Sequence, residues 1–160
     1  MDNDIIWAAG FVDGEGCITI NRSKYYRDKA KWYYQPAIQV AQTIKGEVAI
    51  LKLQKIFGGY VYHYKEKRNR LDTVSWGTRS RDSQKVALAL LPYLILKRPQ
   101  AELLLDFYKC MEMKEKAYRL RDKDYDDRAK LWEKMKNLNA RGEEYLKRLN
   151  EMAPKGDAIV

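Results

Sequence analysis

The sequence predicts an α+β domain in which one antiparallel, four-stranded sheet carries helices on one of its faces. Residues 17–26 and 33–42 alternate apolar and polar side chains, the pattern of half-buried strands. Residues 60–78 have the pattern of a second hairpin. Helical segments stand before, between and after the two hairpins, so the predicted order is helix, hairpin, helix, hairpin, helix. The second face of this sheet is polar, aromatic and basic.

The first helix and the first hairpin are defined by their apolar positions. Residues 4–12 predict a short apolar helix with Asp4 as its N-cap. In the two strands that follow, alternate side chains are expected to be buried. These are Ile18, Ile20, Ile38 and Val40.

The later elements are marked by glycine, proline and charge. Residues 46–57 predict an amphipathic helix that ends at Gly58 and Gly59. Asp82 is the predicted N-cap of a third helix, and Pro99 suits the first position of a fourth. The charge-dense range 115–151 is helical in pattern, with a break at 139–142. We predict a single domain over 1–152 and a frayed tail over 153–160.

The charge balance predicts a polyanionic partner. The chain has 160 residues with 31 Lys and Arg against 22 Asp and Glu, a formal charge of +9. Nucleic acid is the first candidate for such a partner, and an acidic membrane surface is the second.

Cysteine usage and the apolar segments indicate the compartment. The two cysteines, Cys17 and Cys110, are far apart, and neither belongs to a metal-binding motif. This favours an intracellular, reducing compartment, either a bacterial or phage-infected cytoplasm or an organelle. The N-terminus lacks the basic region of a signal peptide, and the longest apolar run, 86–96, is too short to span a membrane. We expect no membrane-spanning segment and, with nucleic acid as the first candidate, no membrane partner.

The stretch AAGFVDGEG, residues 8–16, places two carboxylates among three glycines. Gly10 and Gly14 are four residues apart and would lie on one face of a helix. A pair of small residues at this spacing lets two helix backbones approach closely. The alternative is a helix that turns tightly against its own sheet.

This stretch resembles the signature motif of the LAGLIDADG homing endonucleases, with Ala8 where the family usually has Leu. Three further segments are similar in the same order: IQVAQ at 38–42, FGGYV at 57–61 and LLPYLILKRPQA at 90–101. The resemblance covers residues 5–105. It implies the α-β-β-α-β-β-α fold of that family, with a four-stranded antiparallel DNA-binding saddle and C-terminal helices.

The resemblance also implies an activity. The chain would be a site-specific DNA endonuclease that makes a staggered double-strand break in a long, near-palindromic target, as in intron or intein homing. The alternative is a catalytically inactive DNA- or RNA-binding protein of the same fold, an RNA maturase or a transcription regulator. The presence of both Glu15 and Lys97 favours the enzyme.

The resemblance implies the catalytic residues Glu15, Gln42 and Lys97. Glu15, with Gly14 beside it, would bind Mg²⁺, which Mn²⁺ can replace. Mg²⁺ prefers oxygen ligands and is usually held by one or two carboxylates together with substrate phosphates. Gln42 would position water, and Lys97 would stabilise charge on the phosphate. In the alternative, Gln42 is an ordinary strand-end amide and Lys97 a lysine at a helix C-terminus. No small-molecule cofactor is expected.

Only one such motif occurs in the chain, and single-motif members of the family are homodimers. The motif helices would then pack at a twofold axis through Trp7, Gly10, Asp13 and Gly14, with Asp13 also closing the helix end. A twofold dimer recognises a target of matching symmetry.

The outward positions of the strands are the expected contacts to double-stranded DNA, since a β-ribbon fits the major groove. Glutamine would pair with adenine and arginine with guanine; in the alternative, each of these residues is a solvated surface side chain. The predicted base contacts are Thr19, Asn21, Ser23, Tyr25, Tyr33, Gln35, Gln39, Tyr62, Tyr64, Arg70 and Ser75. Phosphate contacts are expected from Lys24, Arg27, Lys29, Lys31, Lys65 and Lys67.

Overall fold

A computed structural model describes residues 2–24, 32–65, 71–112 and 122–140. Its helices and strands follow the predicted order, with two further helices after the third. They are α1 (Asp2–Glu15), β1 (Gly16–Lys24), β2 (Trp32–Thr43), α2 (Glu47–Phe57), β3 (Tyr60–Tyr64), β4 (Thr73–Arg79), α3 (Arg81–Leu90), α4 (Arg98–Glu112) and α5 (Asp122–Leu138). Short 3-10 turns precede α2 and follow α3.

The four strands form one antiparallel sheet in the order β1-β2-β4-β3. Gly16 of β1 pairs with Val40 of β2, which in turn pairs with Trp76 of β4. Tyr60 of β3 pairs with Gly77. The two hairpins therefore meet through their second strands, and the predicted α+β fold is confirmed.

The core lies between the sheet and the helices. The alternate positions predicted to be buried in β1 and β2 are buried, and Trp76 of β4 is fully buried beside them. Ala8, Ala9 and Val12 of α1 cover this face, and burial of each large aliphatic side chain contributes about 1.5–3 kcal/mol. Within the described part of the chain, no helix combines the length and apolar character needed to cross a membrane.

Two predicted N-caps are wrong. Helix α1 begins at Asp2, so Asp4 lies in its first turn, where it forms an ion pair with Lys52 at 2.9 Å. Helix α3 begins at Arg81 after Ser80, so Asp82 also lies in a first turn. The helix dipole favours carboxylates throughout the first turn, so an acidic residue there does not by itself identify the cap. Helix α4 begins at Arg98, one residue before Pro99.

The C-terminal helix α5 packs against the edge strand β1. The guanidinium of Arg22 lies 4.2 Å from the ring of Trp32 and 3.7 Å from the ring of Trp132, so it is held between strand and helix. The Asn139 amide donates to the Ile18 carbonyl at 2.9 Å. Helix α5 ends at Leu138, at the predicted break. The second predicted C-terminal helix and the tail 153–160 lie outside the described residues.

Candidate functional site

The acidic motif forms the junction between α1 and β1. Helix α1 runs to Glu15, which is exposed, and β1 begins at the next residue. A Cβ on Gly16 would lie 2.6 Å from the main-chain oxygen of Val12, so only glycine fits this close approach. The C-terminal end of a helix carries a partial negative charge that favours a nearby cation. The junction thus presents Glu15 to solvent at an electronegative end of the helix.

Asp13 binds the chain segment that leads into α4. Its Oδ2 accepts hydrogen bonds from the main-chain N–H groups of Ile95 at 2.6 Å and Leu96 at 3.2 Å. Its Oδ1 accepts one from the N–H of Lys97 at 2.9 Å, and the Lys97 ammonium donates to the Asp13 carbonyl. Hydrogen bonds to a carboxylate are stronger than those between neutral groups. Asp13 lies two positions before Glu15 in the chain. It therefore fixes Lys97 beside the end of α1.

These contacts bear on two expectations. Asp13 was predicted at the dimer interface. It is only 9% exposed and its carboxylate binds within its own protomer, so it does not lie on the exposed face of α1. It lies toward the buried side of α1, and only its predicted function of holding the junction fits its position. Lys97 precedes α4, and its ammonium binds a carbonyl in the last turn of α1, which also fits the alternative of a lysine at a helix C-terminus.

Gln42 lies at the same end of the sheet. Because Gly16 pairs with Val40, the strand β2 reaches Gln42 two residues later, alongside the end of α1. Gln42 is half-buried, pairs with Val74 and packs against Gly46. The fold therefore gathers Glu15, Gln42 and Lys97 at one end of the sheet.

The described residues hold no cluster of three or more Asp, Glu, His or Cys side chains suited to a metal ion. Glu15 is the exposed carboxylate at this end of α1, with Gly14 next to it. A site of this kind suits a hard cation that takes most of its oxygen ligands from elsewhere.

One face of α1 is apolar and exposed. A Cβ added to Gly10 or Gly14 would meet no atom within 4 Å, so both glycines border open space. On the same face the rings of Trp7 and Phe11 stack at 5.4 Å, and Ile6 is 49% exposed. A surface helix normally turns polar residues to solvent. Of the predicted interface residues, Trp7, Gly10 and Gly14 lie on this face.

The sheet face opposite the core carries every predicted base-contacting residue that the structure describes. Strand register assigns them all to this face, which we call the open face. They are Thr19, Asn21, Ser23, Tyr33, Gln35, Gln39, Tyr62, Tyr64 and Ser75. Tyr25 and Arg70 lie outside the described residues, as do Arg27, Lys29, Lys31 and Lys67. Their contacts to DNA remain a prediction.

Lys24 and Lys65 differ in position. The Lys24 ammonium lies 5.6 Å from the centre of the Trp32 ring, on the helix side of the sheet by the strand alternation. Lys65 follows β3 and is exposed.

Tyr60 and Arg79 also lie on the open face and were missed from sequence. The alternation of Ser75, Gly77 and Arg79 would have found the arginine, had the strand been extended by one residue. Strand β4 then ends in a sharp turn at Ser80, whose φ is 52°.

Buried groups hold this turn in place. The Tyr108 hydroxyl donates to the Ser80 carbonyl and lies 2.9 Å from the Ser83 hydroxyl. Burial raises the pKa of Tyr108 to about 12, so the hydroxyl keeps its proton at neutral pH and remains a donor.

Comparison with known proteins agrees with this geometry. Residues 8–119 match the model of the family described as LAGLIDADG endonuclease. The chain is 34% identical over 107 residues to DNA endonuclease I-CvuI from Chlorella vulgaris. That match covers 64% of this chain and 62% of the relative, so it spans less than two thirds of the relative's length.

Solved structures show the same fold. The homing endonuclease I-CvuI in complex with its target superposes with a TM-score of 0.73 and 28% identity, covering 89% of this chain and 86% of that one. The archaeal intron-encoded endonuclease I-Vdi141I complexed with DNA superposes with a TM-score of 0.70 over 88% of this chain and 87% of that one. Its identity is 13%, so this second likeness concerns the fold alone.

Proposed function

Because this chain belongs to the LAGLIDADG endonuclease family, we propose that it is a metal-dependent endonuclease that cuts both strands of DNA at a specific site. The observation that carries the proposal is the end of α1. There Glu15 is exposed, and Asp13 accepts three main-chain hydrogen bonds from residues 95–97, which place Lys97 at the same end of the helix. An exposed carboxylate and a lysine at the same end of a helix are the groups that the proposed reaction needs.

Each of these residues has a separate task in the proposed reaction. Glu15, together with Gly14, would hold a divalent cation, Mg²⁺ or its replacement Mn²⁺. When bound, such an ion activates water and stabilises the leaving oxygen of a phosphodiester. Gln42 orients the attacking water, and the Lys97 ammonium stabilises negative charge on the phosphate.

The small number of protein ligands fits a metal ion that is also bound by a second protomer and by DNA phosphates. The described residues supply no cluster of three candidate ligands, and Mg²⁺ is commonly held by one or two carboxylates plus substrate phosphates. A Glu15 from each of two protomers, with the phosphates of bound DNA, would complete such a site.

We infer a homodimer from the exposed face of α1. Gly10 and Gly14 leave room for a second backbone, and Trp7 and Ile6 supply apolar area beside them. Two copies packed face to face would cover this surface and bring both Glu15 residues to the twofold axis. The target would then be long and near-palindromic, with the open face of each protomer in the major groove.

By analogy with the family, the break is staggered and serves intron or intein homing. We further propose an intracellular, reducing compartment, consistent with two cysteines that lie in different elements, Cys17 in β1 and Cys110 in α4.

The test is selection from a randomised double-stranded DNA library, with sequencing of the cut ends. Wild-type protein with Mg²⁺ is compared with an EDTA control and with Glu15→Gln. Glu15→Gln keeps the shape of the side chain and removes its charge. We expect defined ends around a dyad-symmetric consensus in the wild-type reaction, and none in either control.

Two results would contradict the proposal. Sequence-specific binding without cutting in any reaction would indicate a DNA- or RNA-binding protein of the same fold. A consensus without dyad symmetry would contradict the homodimer.

A further inference from the structure

We propose that Arg79 recognises a guanine base, and that Tyr60, whose ring lies over Gly77, fixes the orientation of the Arg79 guanidinium. This proposal rests on the proposed DNA-binding function and adds a base, a residue and a supporting structure to it. The three residues lie together on the open face, at the edge formed by β3 and β4.

The Arg79 guanidinium is fixed by Tyr60 in two ways. Its Nε donates a hydrogen bond to the Tyr60 hydroxyl at 2.9 Å, and its central carbon lies 4.8 Å from the centre of the Tyr60 ring. Stacking on an aromatic ring and a hydrogen bond together select one orientation of a long side chain. Arg79 therefore loses little conformational freedom when it meets a ligand.

The side chain of Arg79 is exposed, and its hydrogen bond to Tyr60 does not use the end of the guanidinium. It uses the single N–H of Nε, whereas the N–H groups of the two terminal nitrogens take no part in it. Two parallel donors at the end of an arginine match the O6 and N7 acceptors of guanine in the major groove. Phosphate presents acceptor oxygens in several directions, so a phosphate contact depends less than a guanine contact on one fixed orientation of the guanidinium.

Gly77 allows the Tyr60 ring to lie on the sheet. The two residues are directly paired across β3 and β4, and a Cβ on Gly77 would lie 2.7 Å from the Tyr60 hydroxyl oxygen. An aromatic ring over a cross-strand glycine is a recognised way to stabilise a sheet. The Tyr62 ring contacts the Tyr60 ring in a tilted arrangement at 5.1 Å between centroids, and the Tyr64 ring lies tilted against Tyr62 at 6.3 Å. This row of tyrosines supports the ring from its other side.

Local sequence pattern cannot predict that Tyr60, Gly77 and Arg79 come together. Tyr60, Gly77 and Arg79 come from two strands whose register is set by a hairpin loop, and a one-residue slip would move the arginine to the opposite face. Only the observed pairing shows that the tyrosine lies beneath the arginine.

The experiment measures base preference position by position. Glu15→Gln protein, which is expected to bind DNA without cutting it, is used to select sequences from a randomised library. The same selection is repeated after adding Arg79→Ala, Arg79→Lys or Tyr60→Phe to Glu15→Gln. Lys85→Ala is the matched control, since it removes one positive charge from an exposed position of α3.

We expect a guanine at one symmetry-related pair of positions in the Glu15→Gln consensus. Arg79→Ala should lower the preference for that guanine by about 5- to 150-fold while other positions keep theirs. Arg79→Lys should keep the salt dependence of binding but lose most of the guanine preference, because the lysine ammonium lacks the planar pair of parallel donors that a guanidinium presents. Tyr60→Phe should give an intermediate loss, and Lys85→Ala none.

A uniform loss of affinity for all sequences in Arg79→Ala, with the salt slope reduced by about one, would overturn the proposal and indicate a phosphate contact. An unchanged consensus would also overturn it. Failure of the endonuclease proposal is a separate result: wild-type protein would then bind specifically without cutting, and the guanine preference would still be measured from binding.

Discussion

At the scale of single residues, the decisive feature is the division of labour between the two acids of the motif. Asp13 and Glu15 are two positions apart on α1 and share a chemical type, yet one is buried and the other exposed. Asp13 satisfies three N–H groups that precede α4, where such groups have no partner within the helix. Glu15 stays exposed and is the proposed metal ligand. The end of α1 and the lysine segment are therefore built as one unit.

Asp13→Asn is expected to impair cleavage more than DNA binding. The amide has one acceptor oxygen, and its NH₂ group would face an N–H donor, so at least one buried hydrogen bond is lost at a cost of about 1–3 kcal/mol. Lys97 would then lose its fixed main-chain position. The measurements are the single-turnover cleavage rate at saturating DNA and the dissociation constant for DNA, each compared between wild type and variant. Both are made below the unfolding temperature of the variant.

Asp82→Asn is the matched control for this prediction. Asp82 is also an acid in contact with a lysine, but it is exposed in the first turn of α3 and pairs with Lys85 at 3.6 Å. Its removal should leave the cleavage rate unchanged. A normal rate at saturating DNA in Asp13→Asn would show that the position of Lys97 does not depend on Asp13.

At the scale of elements, helix α1 shows how one segment serves two surfaces. Ala8, Ala9 and Val12 bury one side in the domain core. The opposite side carries Trp7, Gly10 and Gly14, and no described atom of the protomer would lie within 4 Å of a Cβ at either glycine. A helix that is apolar all round is normally buried all round. The open glycines are thus the strongest structural argument for a second chain.

The double substitution Gly10→Ala with Gly14→Ala is expected to preserve the fold and weaken the dimer. Alanine is a better helix former than glycine by about 1 kcal/mol per residue, and neither new methyl group would meet an atom of the protomer. In a close helix pair the same methyl groups would separate the backbones. Circular dichroism would measure the fold, and sedimentation velocity over a range of concentrations would measure self-association.

An alanine on another helix provides the control for that experiment. Lys109→Ala changes an exposed position of α4 that pairs with Asp106 at 3.0 Å, away from the glycine face. It should leave the dimer intact. An unaltered dimer in the glycine double variant would place the interface elsewhere.

At the scale of the whole molecule, charge and shape act together. The formal charge of +9 attracts a polyanion in general, whereas the register of the sheet decides which side chains meet it. Attraction to the phosphate backbone depends on released counterions and is therefore sensitive to salt. Hydrogen bonds to bases from the open face would depend much less on salt. The two contributions can be separated by a salt titration.

Binding of Glu15→Gln protein to its selected target should fall steeply with salt. If the dimer makes roughly 6–10 phosphate contacts, affinity should drop by about 10³–10⁵-fold between roughly 50 and 200 mM salt. Fluorescence anisotropy with labelled DNA measures this slope, and a random duplex of equal length is the control. A nearly flat slope would contradict binding along the phosphate backbone.

Much of the fold was contained in local sequence pattern. Alternation in β1 and β2, the helical period before Gly58 and the order of hairpins and helices were sufficient to predict the sheet, because each reflects which side chains must leave water. The resemblance of residues 8–16, 38–42 and 90–101 to the family also indicated Glu15, Gln42 and Lys97. Helix starts were less well determined, as Asp4 and Asp82 show, since acidic residues are favourable at several positions of a first turn.

Contacts between distant segments were decided only by the tertiary structure. The bonds from Asp13 to residues 95–97, the Arg22 guanidinium between Trp32 and Trp132, and the pairing of Tyr60 beneath Arg79 all join parts that are far apart in the chain. A local pattern records which face of an element is buried, but not which element covers that face. By itself the sequence determined the elements, the acidic motif and the basic charge. Packing determined which acid is buried, which face of α1 stays open and which arginine is held in place.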